Sequence, residues 1–250
     1  HERLVGSEMC IRDRYGEKMS KSKGNVIDPF PIITKHGADT FRFWSATEAN
    51  HGQDFRCSEQ KIVEAQKFLT KLWNIGRFVS SFEFIPSHES DLLPSDKWIL
   101  AELSNLITEC MRGYKEYNFF IPASHIREFT WNIFASHYLE LVKSRAYNDN
   151  DSNSRNSALY ALHKCFSVIL LLLAPICPFI TDKLWTTIYD KESIHLNKLP
   201  DENNDYEDMR KYTKDIIDFN SLIWTKKRES LNEDGKRYSL CLLYTSPSPR

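Results

Sequence analysis

No pair of cysteines in this chain has the spacing of a metal or redox site. The six, Cys10, Cys57, Cys110, Cys165, Cys177 and Cys241, include no C-x-x-C and stand far apart. This argues against a zinc site or a disulfide framework and for buried thiols in a reducing, cytoplasmic setting. His125, His137, His163 and His195 also lack ligand spacing, so no metal site is expected. An excess of one charge sign is missing too. The 33 basic and 34 acidic side chains leave a formal net charge of -1. That excludes a uniformly basic nucleic-acid coat but leaves room for a local basic patch. The most apolar stretch, 166–180, is shorter than the ~20 residues that cross a bilayer. Pro175 and Pro178 interrupt it. It reads as a buried helix and its stop, and no membrane partner is expected. No internal repeat is present. With 41% hydrophobic and 27% charged residues over 250 positions, the composition is that of a globular chain, not a disordered one.

The two ends look foreign. Residues 1–14 (HERLVGSEMCIRDR) show no apolar period. The last stretch, SLCLLYTSPSPR, closes in a Ser-Pro string that cannot continue a helix. Both resemble translated library adapter. Residues 1–14 and part of 229–250 are therefore set aside as a fusion scar would be, and the chain is read as a piece of something longer.

Between them, YGEKMSKSKGNVID (15–28) has no apolar face and reads as a loop. Residues 29–36 read as a short helix opened by Pro29 and stopped by Gly37. Asp39 is expected to cap a helix over 40–47, and 49–56 to turn into a short strand. Long helices follow. Ile62, Ala65, Phe68, Leu69, Leu72, Trp73 and Val79 mark one over 58–82. Trp98, Ile99, Leu103, Leu106, Cys110, Tyr114 and Tyr117 mark a second, beginning at Ser95 after a linker at 86–94. Ile126, Phe129, Ile133, Phe134, Tyr138 and Leu141 mark a third over 122–147. A fourth, 156–173, is apolar on nearly all sides and hence central. Residues 178–189 form a shorter helix, 193–196 a short extended piece and 205–228 a last helix. The expected fold is mainly α. A small mixed α/β region and connector at 15–83 precedes an antiparallel helical bundle at 84–228.

One string stands out: Lys18-Met19-Ser20-Lys21-Ser22, followed by Lys23-Gly24-Asn25. At ordinary residue usage the five-residue core arises by chance roughly once in ten thousand chains of this length. Its chemistry suits a polyphosphate. Two ammonium groups three residues apart reach different oxygens as point charges. Two hydroxyls add donors, and Gly24 lets the backbone approach closely. A loop without apolar anchors can open for a nucleotide and close on a transition state.

This string resembles the signature loop of class I aminoacyl-tRNA synthetases. The context extends the likeness through GADTFRFW (37–44), FLTKLWNIGRFV (68–79), FASHYLELVKSRAYN (134–148), APICPFITDKLW (174–185) and SIHLNKLP (193–200). Lys71-Leu72-Trp73-Asn74 with Arg77-Phe78 favours the branch that handles valine over its isoleucine and leucine relatives. The resemblance implies a remnant of the catalytic core followed by an anticodon-binding bundle. It implies ATP as substrate with Mg2+, and valine and tRNA(Val) as partners of the complete enzyme. Lys21 and Lys18 would be catalytic, with Met19, Ser20 and Ser22 completing the ATP contacts. Lys67, Lys71, Arg77, Lys143 and Arg145 are the candidates for tRNA phosphates, and Tyr147 could stack on a loop base. The family's other ATP signature, H-x-G-H, does not occur in these 250 residues, so the piece alone is expected to be inactive. The competing readings are a fragment of an isoleucine or leucine relative and a stand-alone helical RNA-binding protein.

Overall fold

The computed structural model describes residues 11–13, 15–25, 28–50, 53–85, 92–148, 150–202 and 206–233. Most of the two foreign-looking ends, and 86–91 of the linker, lie outside the described residues. The chain is overwhelmingly helical, as the apolar periods predict. Two compact units are present, and neither is a continuous stretch of chain. One comprises His1–Lys71, Leu106–Glu128 and Val168–Glu202; the other comprises Leu72–Asn105, Phe129–Ser167 and Asn203–Arg250.

The first unit contains the described strand pair. β1 (Ile11–Arg12) runs parallel to β2 (Phe55–Arg56), with Ile11 opposite Phe55 and Arg12 opposite Arg56. Between them lie α1 (Pro29–His36) and α2 (Ala38–Glu48). Asp28 caps α1 by accepting from the Phe30 N–H at 2.9 Å, and Gly37 stops it at φ 89°. α2 buries Phe43 and Trp44. Phe43 stacks on Phe68 of α3 (Glu59–Val79) at 4.5 Å. Such a pair adds about 0.5–1.5 kcal/mol beyond its buried area. α2 also packs on α5 (Phe120–Glu128) and on α8 (Pro178–Ile188).

Asp39 departs from expectation. α2 already begins at Ala38, so Asp39 lies in its first turn. Its carboxylate accepts from the Ile180 N–H at 2.7 Å and the Phe179 N–H at 3.5 Å, capping α8 instead of its own helix. One turn on, the Arg42 guanidinium donates to the carbonyls of Ile176 at 2.8 Å and Pro175 at 3.0 Å. One helix face thus supplies both the donors and the acceptor that the elbow before α8 lacks. Burial holds the Asp39 carboxyl above the ordinary range, although both amides and Arg42 pull the other way.

The second unit is built on the first part of α4 (Pro94–Lys115), α6 (Leu139–Ala146), the first part of α7 (Ser152–Leu173) and α9 (Thr213–Glu233). α7 is central as expected: Leu159, Leu162, Cys165 and Phe166 are fully buried. It is apolar and long enough to cross a membrane, but 72% of its most apolar window is buried inside the protein. The expected third helix is not a uniform α-helix. Phe129–Tyr138 is π-helical, and Ser136 Oγ donates to the Trp131 carbonyl at 2.7 Å. The wider turn rotates the inward face, as i→i+5 bonding requires. Phe129, Phe134 and Tyr138 stack in series at 6.1 and 5.9 Å, while Ile133 and Leu141 are only partly covered. Two further expectations fail. Trp73 is 39% exposed, because Leu72 and Ile75 take the inward face of α3. The extended piece at 193–196 is a 3-10 turn, Ile194–Leu196, held by the Asp182 carboxylate through Ser193 Oγ at 2.6 Å and the Ile194 N–H at 3.0 Å.

A buried carboxylate holds the second unit. Asp96 is fully buried. It accepts from Tyr138 Oη at 2.9 Å, from Ser157 Oγ at 2.5 Å and from both Arg145 terminal nitrogens at 2.6 and 2.9 Å. Ser157 Oγ also accepts from the Leu93 N–H at 3.1 Å. Removing one partner of such a pair strands a charge in low dielectric. Asp96→Ala is therefore expected to lower unfolding stability by about 3–5 kcal/mol, read by urea denaturation of the chain. A loss below about 1 kcal/mol would mean that the network does not hold the unit.

Candidate functional site

The lysine-rich loop rises from the edge of β1. Arg12 pairs with Lys18 in an antiparallel bridge, and the Cys57 N–H donates to the Arg12 carbonyl at 3.0 Å. The Arg12 guanidinium is tied to Asp54 at 2.5 Å and to the Gly16 carbonyl at 3.0 Å. Lys18 is therefore held at its backbone while its side chain is exposed.

Asp13 organises the base of the loop. One carboxylate oxygen accepts from the N–H groups of Tyr15 and Glu17, each at 2.9 Å. The other accepts from Asn25 Nδ2 at 3.1 Å. Asp13 lies in the stretch set aside as foreign, and the sequence reading missed it. A short acidic residue three before Gly16 is at most a turn signal. The amide of Glu17, with those of Tyr15 and Gly16 and the Asn25 side chain, holds the carboxyl below its ordinary value against the opposing cost of burial. Gly16 lies at φ 86°, and a Cβ there would sit 2.9 Å from the Arg56 guanidinium. The backbone there is strained for any residue with a Cβ, and the Arg56 end would also have to shift.

Lys21–Lys23 form one turn of 3-10 helix, and Gly24 leaves it at φ 68°. Ser20 Oγ and Ser22 Oγ are 3.1 Å apart, and the Lys23 N–H donates to Ser20 Oγ at 3.3 Å. The hydroxyls therefore brace the turn. Lys23 stands 3.6 Å from Glu17, so its charge is balanced locally. The Lys21 backbone opens the turn; its side chain lies outside the described residues. Met19 and Ser20 are partly buried, and Ser22 is exposed. The loop thus presents polar and basic groups on a framework built from backbone pairing. Among the described residues, no group of His, Cys, Asp and Glu could hold a metal ion.

The candidates for tRNA phosphates divide. Lys67 and Arg77 of α3 are exposed, and Lys71 is partly covered. Lys143 is paired with Glu140 on its own helix. Arg145 is spent on Asp96, with an 18% exposed side chain whose second terminal nitrogen also donates to Ser95 Oγ at 3.0 Å. It is a framework residue, because a buried carboxylate claims the nearest bidentate donor. Tyr147 is 66% exposed and rests edge-on against Phe82 at 5.0 Å. Lys226, Lys227 and Arg228 follow one another near the end of α9; the side chains of the last two lie outside the described residues.

Known proteins resemble the chain along most of its length. The family described as "Anticodon-binding domain of tRNA ligase" matches residues 96–235. That described as "tRNA synthetases class I (I, L, M and V)" matches residues 3–58. A "Valine--tRNA ligase" of Pyrobaculum aerophilum is 40% identical over 219 residues, covering 86% of this chain and 27% of that protein. One from Aeropyrum pernix is 41% identical over 226 residues, with the same coverage of each. One from Mycoplasma mycoides is 33% identical over 93% of this chain and 26% of its own length. The chain thus spans about a quarter of these relatives. Among solved structures, a leucyl enzyme of Agrobacterium radiobacter, in a complex described as "LeuRS-tRNA-LeuAMS", shares the fold. Its TM-score is 0.63 at 19% identity, over 80% of this chain and 24% of that one. The methionyl-tRNA synthetase of Mycobacterium tuberculosis does so at TM-score 0.56 and 22% identity, over 70% of this chain and 36% of that one.

The lowered Asp13 carboxyl gives a pH signature. Its share of the loop's order is fully present above the ordinary aspartate value of 3.8 and disappears as pH falls through the lower folded value. The amide proton shifts of Tyr15 and Glu17 should titrate together with a midpoint below 3.8. A midpoint at or above that value would contradict the arrangement.

Proposed function

The chain belongs to the tRNA ligases that carry this anticodon-binding domain, and we propose that it is a segment of one that joins valine to tRNA(Val) through a valyl-adenylate. The observation that carries this reading is the 40–41% identity to two valine–tRNA ligases across 86% of the chain. The leucyl and methionyl likenesses, at 19% and 22% identity, support the fold only.

The loop's role comes from where charge moves. As the valine carboxylate attacks the α-phosphate of ATP, negative charge shifts onto the departing pyrophosphate. A cation aimed at that charge is worth most in the transition state, so it raises the rate more than it tightens ATP binding. Lys21 is the main stabiliser in this reading and Lys18 the second. Ser20, Ser22 and the backbone at Met19 position the nucleotide. Mg2+ would enter with ATP as part of the substrate and would add positive charge at its phosphates. A hydroxyl of the terminal tRNA ribose then attacks the valyl carbonyl of the adenylate, so the valyl group passes to the tRNA and AMP leaves, while the helical part holds the anticodon arm. Lys67, Lys71 and Arg77 supply phosphate contacts. We assign the enzyme to the cytoplasm, in keeping with the buried thiols of Cys57, Cys110, Cys165 and Cys177.

The complete protein is expected to catalyse ATP–pyrophosphate exchange with valine in preference to isoleucine, leucine or methionine. Preference for another of these would transfer the reading to a sister enzyme. In that protein Lys21→Ala should lower the adenylation rate constant about 10²–10³-fold with a much smaller change in ATP affinity. Equal losses in both would reduce Lys21 to a binding residue. The 250-residue chain alone should show no exchange.

A second measurement addresses the helical part. Affinity of the chain for tRNA should fall with salt, and neutralising Lys67 or Arg77 should reduce the slope of log K against log salt by about one. Binding that ignores salt would remove the phosphate contacts from the proposal.

A further inference from the structure

The lysine loop is short of apolar anchors, and a single carboxamide makes three hydrogen bonds across its base. Asn25 Nδ2 donates to Asp13 Oδ2 at 3.1 Å and to the Lys18 carbonyl at 3.2 Å. Asn25 Oδ1 accepts from the Ser20 N–H at 3.0 Å. The orientation of the amide is forced. A carboxylate and a carbonyl can only accept, and a peptide N–H can only donate. Asn25 therefore ties both ends of the Lys18–Ser20 segment, the carbonyl at one and the amide at the other, to one anchored carboxylate.

The anchor is itself held. Asp13 lies between β1 and the Tyr15–Glu17 turn, whose amides occupy its second oxygen. Its own N–H donates to the Glu17 carbonyl at 2.8 Å, and its carbonyl accepts from the Gly16 N–H at 3.1 Å. Gly24, immediately before Asn25, takes the left-handed conformation at φ 68° that brings the carboxamide back over the loop, with open space around it. Outside this latch, Lys18, Ser22, Lys23 and Gly24 are exposed.

Resting on the reading of this loop as the adenylation loop, we propose that Asn25 is a positioning residue for that step. Its carboxamide, locked to Asp13, sets the backbone from Lys18 to Ser20 so that the following Lys21 needs no reorganisation when pyrophosphate departs. The residue touches no substrate in this scheme and acts only through the loop. Displacing a catalytic cation by about an ångström through a remote contact lowers a rate on the order of 10²-fold.

The test uses the complete ligase that contains this chain, with adenylate formation followed in single turnovers and ATP affinity measured separately. Asn25→Ala should slow adenylate formation about 10–100-fold while ATP affinity changes less than about threefold. Asp13→Asn should slow it similarly, because two amide donors then face each other. The reversed pair, Asp13→Asn with Asn25→Asp, restores the contact between the side chains and keeps the acceptor for Ser20. It also sets a carboxylate oxygen against the Lys18 carbonyl in place of the donor, so recovery is partial: the pair should run about fivefold faster than the slower single variant. Thermal midpoints and tRNA affinity should stay at the parent values. An Asn25→Ala enzyme as fast as the parent, or a reversed pair no faster than the slower single variant, overturns the proposal while the valine reading stands. A parent enzyme without amino-acid-dependent exchange overturns both.

Discussion

A carboxylate taken out of water must be given donors, and it takes them from whatever segment the chain can bring near. Four aspartates meet that constraint, and the described structure is organised around them. Asp13 gathers the turn before the lysine loop and the loop's far end. Asp39 gathers the start of α8, and Asp182 gathers the turn at Ser193–Ile194. Asp96 gathers Tyr138, Arg145 and Ser157 from three separate elements. Aspartate suits the task because its side chain is short, loses little rotamer freedom and offers two oxygens with about four acceptor positions. The environments differ in kind. Donors dominate at Asp13 and Asp182 and hold those carboxyls low, whereas burial dominates at Asp39 and holds it high.

The same device gives the lysine loop its combination of exposure and order. Mobile ammonium groups are useful to a polyphosphate only if their roots are held. An apolar anchor would bury them, and a free loop would scatter them. Backbone pairing at Lys18, a hydroxyl-braced turn after Ser20 and the Asn25 carboxamide hold the roots without covering the tips. The helical part meets a different demand. There the aromatic stripes are mostly core, although Trp73 and Tyr117, expected to face inward, are exposed, and the basic groups divide between framework and surface. Arg145 neutralises a buried charge, while Lys67 and Arg77 face water.

Much of this was legible in the amino-acid order. Apolar periods of three and four located the long helices to within a few residues, because burial of one face is their dominant energy; the exception is the last, expected at 205–228, whose first part is the 3-10 turn Glu207–Tyr212 and whose α-helix is Thr213–Glu233. Pro29, Gly37 and Pro178 marked ends through backbone constraints that act locally. The misses share a cause. The π turn at Phe129–Tyr138, along which three aromatics stack in series, has the same apolar spacing as an α-helix when only the sequence is read. Asp39 looked like a local cap because sequence shows only the nearest helix, whereas the amides it serves lie some 140 positions away. Arg145 looked like a surface cation because its carboxylate lies 49 positions upstream. Asp13 was discarded with a stretch that carries no apolar pattern, and a hydrogen-bonding hub leaves no periodic trace.

By itself the sequence determined the helical class, the place of each long helix and the chemistry of the loop. These depend on residue type and short-range spacing. Tertiary structure alone decided which polar groups are spent on the framework and which remain for a ligand. That choice depends on partners brought together across the chain, and desolvation assigns a cost to each buried charge only once the chain has folded around it.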